Sequence, residues 1–224
     1  MGCHGSRKRY SQEEVALLSE ELVLQFHAAS TQQAYAVFRC KARQGFLNAL
    51  AFQEAAQELG VCTLNSGSSL QVEAFFASLQ TPQGYPEHTL GLLAVLLSEG
   101  SASEKAATLF QLYDEAYVLE LTQAQVTALI ADLVDMSIVQ LGLLVAGEQH
   151  GALRNGEYLK GLQQASAAFQ QALVEEILQG REVISRTEFV EQLAENSKWR
   201  SASDLRVALA EFKRERNRPQ LVKP

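Results

Sequence analysis

The chain is 224 residues long, carries a formal net charge of −7, and is 47% hydrophobic and 20% charged. That is enough apolar chain for one large domain or two small lobes, and it excludes a disordered segment. The negative charge excludes general nucleic-acid binding, which needs an electropositive face to displace counterions, and three widely spaced cysteines, Cys3, Cys40 and Cys62, exclude a disulfide framework and point to a reducing compartment.

The chain opens Met1-Gly2-Cys3-His4-Gly5-Ser6-Arg7-Lys8-Arg9. Loss of Met1 exposes Gly2, and Ser6 stands where N-myristoylation wants Ser or Thr. Cys3 is placed to take a palmitoyl chain once the first chain has reached a bilayer. One myristoyl group alone attaches a protein only marginally, with K on the order of 10⁴ M⁻¹. A second chain makes attachment lasting, and each of the three basic residues adds about 1 kcal/mol near anionic lipid. Gly2 and Cys3 are therefore the expected lipidation sites in a eukaryotic host. The expected location is the cytoplasmic face of a membrane, with a cytosolic pool. The opening resembles the Met-Gly-Cys starts of dually acylated kinases, G-protein subunits and flagellar calcium-binding proteins. No window of about 18 apolar residues is read along the chain, so no membrane-spanning helix is expected.

Beyond residue 10 the signals are helical. Only four prolines occur, and Ala, Leu, Gln and Glu, which lose little rotamer freedom in a helix, are frequent. Helix starts are marked where a Ser or Thr precedes an acidic or amide residue by three: Ser11 with Glu14, Ser101 with Glu104, Thr122 with Gln125, Ser185 with Glu188, and Ser201 with Asp204. Apolar stripes at helical spacing follow them, among them Ala106, Leu109, Phe110 and Tyr113, then Val126, Leu129, Ile130, Leu133 and Val134. Further stripes are Phe169, Leu173 and Ile177, and Phe189, Val190 and Leu193. Breaks are expected at 60–69, 80–86, 99–101 and 147–156. The fold class expected is all-α, with strands at most very short.

The segment Leu96-Leu97-Ser98-Glu99-Gly100-Ser101-Ala102-Ser103-Glu104-Lys105, followed by Leu109-Phe110-Gln111-Leu112-Tyr113-Asp114, resembles a central stretch of the EF-hand superfamily. It is similar to recoverin-like and calcineurin-B-like proteins and to the acylated N-terminal region of TLDc-domain proteins. The resemblance implies paired EF-hand-like helix–loop–helix units with an additional C-terminal helix. Its divisions would be a flexible acylated terminus over 1–10, one pair over 11–100, a second over 101–198, and a C-terminal helix and tail over 199–224. The alternative is a helical bundle unrelated to these proteins, in which the coincidences come from helix caps.

A twelve-residue calcium loop needs oxygen ligands at positions 1, 3, 5 and 12 and a glycine at 6. Its packing residues are at positions 8 and 13. Cys40–Ala51 keeps Gly45, Leu47 and Phe52 but offers Cys40, Ala42, Gln44 and Ala51 as ligands. Asp114–Gln125 begins with an aspartate, then has Ala116, Val118, Leu119 in place of glycine, and Gln125 in place of the bidentate Glu. Ile177–Glu188 keeps Ile184, Glu188 and Phe189 but offers Ile177, Gln179 and Arg181. Ser78–Thr89 aligns loosely, with Tyr85 at 8 and Leu90 at 13. Packing positions survive and ligand positions do not, so no calcium binding in the sensor range of ~10⁻⁷–10⁻⁵ M is expected, and no cofactor.

Catalytic chemistry finds no support. His4, His27, His88 and His150 lack metal-ligand spacing. Glu13-Glu14 and Glu175-Glu176 read as solvated surface charge, and Cys40 and Cys62 as small buried or half-buried residues. After Trp199, a helix capped by Ser201 carries Leu205, Leu209 and Phe212 on one narrow apolar face, with Arg206, Lys213, Arg214 and Arg216 enriching the remainder in charge. Either it packs permanently on the domain, the preferred reading, or it leaves for a partner. The expected function is non-enzymatic: a calcium-independent adaptor taking an amphipathic helix of a partner protein in a groove lined by Leu93, Leu97, Phe110, Leu133 and Leu173. The groove would be either constitutively open or constitutively filled. The alternatives are a weak calcium sensor or regulatory subunit, and a structural subunit of a cytoskeletal or ciliary assembly.

Overall fold

The computed structural model describes residues 10–61, 70–145 and 152–217. Gly2, Cys3, His4, Cys62 and His150 lie outside the described residues. The helix starts fall where the caps stand. Helix α1, Gln12–Val23, begins with Ser11 Oγ accepting from the Glu14 amide. Helix α2, Thr31–Lys41, is capped by Ser30 and leads through strand β1, Phe46–Leu47, to α3, Ala49–Leu59, capped by Asn48. Helix α4, Leu70–Leu79, leads through β2, Tyr85–Pro86, to α5, Glu87–Leu97. Helix α6, Ala102–Tyr113, leads through β3, Glu120–Thr122, to α7, Gln123–Asp135. Helix α8, Ala152–Leu178, leads through β4, Val183–Ser185, to α9, Arg186–Glu195, and α10, Ala202–Arg216, follows. Ser101–Glu104, Thr122–Gln125 and Ser185–Glu188 close as reciprocal capping boxes, which satisfy two orphan amides each.

Among the described residues the result is a mostly helical fold with four very short strands in two antiparallel ladders. Strand β1 pairs with β2, setting Leu47 opposite Tyr85, and β3 pairs with β4, setting Leu121 opposite Ile184. All four of these side chains are buried. Four helix–strand–helix units are therefore joined two by two through their connections. Helix α2 packs on α3 and α5, α6 on α9, and α7 on α8, while contacts of α2 and α5 with α6 join the two halves. One apolar cluster runs through both, from Leu24 to Leu209.

Three expectations need correction. The break at 147–156 is shorter at its end, because α8 already includes Gly156. An apolar stretch long enough to cross a bilayer does exist by length and composition, over Gln123–Val145. It is a core element here: α7 continues into a π-helical turn, Met136–Gln140, and a 3₁₀ turn, Leu141–Val145, and Val126, Leu129, Ile130, Leu133, Leu141 and Leu144 are buried. Finally, α1 does not sit with the first half of the chain. Its main neighbours are the Leu141–Val145 turn, α10 and α8, so both ends of the described chain close on the second half.

Candidate functional site

The four connections are built differently. In the first, the Arg43 and Phe46 amides and carbonyls bond each other at 2.8 and 3.1 Å; in the second, Thr81 and Gly84 do the same at 2.9 and 3.0 Å. Only glycine fits at 84, where φ is +122° and a Cβ would meet the Leu47 carbonyl oxygen at 2.3 Å. In the third, Asp114 is buried and its carboxylate accepts from the Val118 amide at 2.9 Å and the Leu119 amide at 3.0 Å. Gln125 donates from Nε2 to the Tyr113 carbonyl at 2.8 Å while its Oε1 accepts from Thr122. In the fourth, Arg181 forms an ion pair with Glu188 at 3.2 Å, and Glu188 also accepts from Ser185. The Ser185 bonds, more than the Arg181 charge, hold the Glu188 carboxyl below the usual range. Among the described residues no three His, Cys, Asp or Glu side chains gather as a metal group.

The third connection also presents an apolar tip. Tyr117, Val118 and Leu119 are 72%, 61% and 58% exposed. Tyr117 and Leu119 hold positive φ, 54° and 61°, although neither is glycine. Arg39 of α2 donates to the Tyr117 hydroxyl at 2.5 Å and lies over the rings of both Tyr35 and Tyr117. A cleft of about 280 Å³ opens below, lined in part by Arg39, Glu87, Asp114, Glu115 and Tyr117. A second cleft, of about 250 Å³, is lined in part by His88, Asp132 and Asp135. There the Tyr113 hydroxyl donates to Asp132 at 2.6 Å, and burial lowers the His88 pKa against the nearby carboxylates.

The expected groove is not an open surface. Leu93, Phe110, Leu133 and Leu173 are buried in the core, and Leu97 is half-buried against it. Helices α7 and α8, which carry Leu133 and Leu173, are covered in part by α10. The C-terminal helix is thus packed on the domain in this structure. Trp199 is buried before it, with Nε1 donating to the Leu193 carbonyl at 2.5 Å. Lys105 of α6 donates to the Arg200 carbonyl at 2.8 Å, and burial depresses its pKa to about 8.

What fastens α10 is a buried charge cluster that reading the sequence missed. Arg206 is fully buried. Its Nη2 bonds Glu14 at 2.7 Å, its Nη1 bonds Glu21 at 2.6 Å, and its Nη1 also donates to the Ser137 carbonyl at 2.9 Å. Tyr158 of α8 donates to Glu14 at 3.0 Å. Burial works against the guanidinium's charge, yet Glu21 and Glu14 hold its pKa above the ordinary value. Burial outweighs Arg206 at Glu21 and raises that carboxyl. Glu14 is therefore not solvated surface charge, and Arg206 does not belong to the exposed basic face. The signal was available in each helix separately: Glu14 and Glu21 lie seven residues apart on the face that buries Leu17, and Arg206 shares a face with Ala202 and Leu209. Glu175 and Glu176 are exposed as expected, whereas Cys40 is exposed rather than buried. No protein-family model, no curated protein and no solved structure matches the chain.

Proposed function

We propose that this chain is a membrane-anchored, non-catalytic adaptor built from two pairs of EF-hand-like units that hold their connections shut without calcium. The observation that carries the reading is at the third connection. Asp114, the acidic residue at a first ligand position, gives both carboxylate oxygens to the Val118 and Leu119 amides, and Gln125 closes the same loop onto Tyr113. A hard divalent cation needs six to eight oxygens; here protein amides occupy the acceptors that it would use. The ladder register supports the EF-hand-like part, since Leu47 faces Tyr85 and Leu121 faces Ile184, the eighth positions of the four connections. The anchor rests on Gly2, Cys3, Ser6 and the basic triplet. The partner is a protein segment with an amphipathic helix. Because α10 packs over α7 and α8, that segment docks elsewhere than on Leu133 and Leu173.

Two measurements test the reading. Calorimetry of the purified chain against calcium is expected to give no binding in the micromolar range; sub-micromolar binding sinks the calcium-independent part. Fractionation of cells expressing the wild type, Gly2→Ala and Cys3→Ser is expected to show both substitutions moving the protein to the cytosol. If neither moves it, the anchor is wrong.

A further inference from the structure

We infer that the tip of the third connection, Tyr117-Val118-Leu119, is the docking surface of the adaptor, and that it takes a basic amphipathic helix of a protein partner. This deepens the adaptor reading and rests on it, but it is carried by different observations. The first is the backbone. Leu119 occupies a left-handed conformation, φ 61°, in which glycine avoids a steric cost that every other residue bears. A leucine kept there usually repays that cost by burial, yet this one is 58% exposed and returns little. Tyr117 is in the same position with φ 54° and is 72% exposed. The fold would be served as well or better by glycine at 119, so the side chain's use lies outside the chain.

The second observation is rigidity. The loop is not loosely tethered: Asp114 holds the amides of Val118 and Leu119, the Arg186 amide donates to the Leu119 carbonyl at 3.0 Å, and Arg39 bonds the Tyr117 hydroxyl. A preorganised apolar tip loses little freedom on binding, which is how a small surface gains affinity.

Charge selects the partner. Glu115 and Glu120 flank the tip on either side and are exposed; on the neighbouring connection Glu182 is exposed, while Arg181 is paired with Glu188 and Arg186 lines a separate cleft with Glu104 and Glu191. The cleft below adds Glu87 beside Glu115, and Arg39, the one Lys or Arg that lines it among the described residues, already lies over the rings of Tyr35 and Tyr117. An apolar ridge with Lys or Arg on its borders complements this surface, whereas an anionic bilayer is repelled by it. An Arg or Lys side chain entering the cleft meets two carboxylates.

The test uses the full unacylated chain in calcium-free buffer, so failure of the calcium or anchor arguments leaves it unaffected. The probes are an 18-residue peptide of Leu and Lys at helical spacing, its Leu/Glu counterpart, and phosphatidylcholine vesicles with and without phosphatidylserine. Expected is binding of the Leu/Lys peptide with amide shifts at Tyr117, Val118 and Leu119. The affinity should fall at least tenfold, about 1.4 kcal/mol, in Leu119→Gly and in Glu115→Lys/Glu120→Lys, and be at least tenfold lower for the Leu/Glu peptide. Leu119→Gly should at the same time keep or raise Tm, a combination that a merely structural leucine does not produce. Unchanged affinity in Leu119→Gly, equal binding of both peptides, preferential binding to vesicles, or self-association abolished by Leu119→Gly would each overturn the assignment. The last two would indicate lipid and a second copy of the chain, respectively.

Discussion

Arg206→Met removes the cation from a site where two carboxylates are almost fully buried: Glu14 is 1% and Glu21 7% exposed. Methionine fills much of the volume, so the loss is chiefly electrostatic. Breaking a buried ion pair from one side costs about 3–5 kcal/mol, because a charge is left unpaired in a medium that solvates it poorly. Two carboxylates share the guanidinium here, which places the expectation at about 4 kcal/mol at pH 7. At about 2–4 °C per kcal/mol for a chain of this length, Tm falls by roughly 12 °C. The loss should depend on pH. Glu21 is raised above its ordinary value of 4.5 by burial, and Arg206 is the main influence opposing that rise. A carboxyl raised in the folded state contributes stability that is fully present below its unfolded pKa and is lost as pH climbs through the folded one. Removing Arg206 lifts Glu21 further, so the deficit should shrink as pH falls from 7 toward 5. Urea unfolding followed by circular dichroism at several pH values measures both effects. Replacing all three residues together, Glu14→Leu, Glu21→Leu and Arg206→Met, should recover most of the loss. A single variant within about 1 kcal/mol of wild type at pH 7, or a deficit independent of pH, would refute the account of the buried cluster.

Other outcomes follow from single contacts. Gly84→Ala places a Cβ 2.3 Å from the Leu47 carbonyl at a φ of +122° and should cost about 3 kcal/mol; a denaturation midpoint equal to wild type contradicts the close approach of β1 and β2. Lys105, whose pKa burial depresses to about 8, binds its proton less tightly in the folded state than in the unfolded one. Stability should therefore rise from pH 8 to pH 9.5 in the wild type. Lys105→Met should flatten that rise, and an unchanged slope in the variant would show that another group causes it.

Local features were legible because their physics is local. Ser101, Thr122 and Ser185 cap amides three residues away, so their helix starts could be read directly. The residues Leu47, Tyr85, Leu121 and Ile184 were picked out by their eighth place in the twelve-residue loop spacing, and they are the residues that meet in the ladders. Leu93, Phe110, Leu133 and Leu173 were legible as apolar helix positions but not as core or groove, since a stripe looks the same whether its covering element comes from a partner or from α10. Asp114 was legible as a first ligand, but its commitment to the Val118 and Leu119 amides was not, because that depends on the left-handed turn between them.

The sequence by itself determined that the chain is helical and where five of the ten described helices begin. Each of these is set by residues within a few positions of one another. Only the tertiary structure decided that the two ends of the described chain are fastened together: Glu14 and Arg206 meet across 192 positions. No periodicity links residues so far apart. An arginine on an apolar face acquires a partner only when a second helix, carrying its own misplaced acids, folds onto it and burial makes that pairing obligatory.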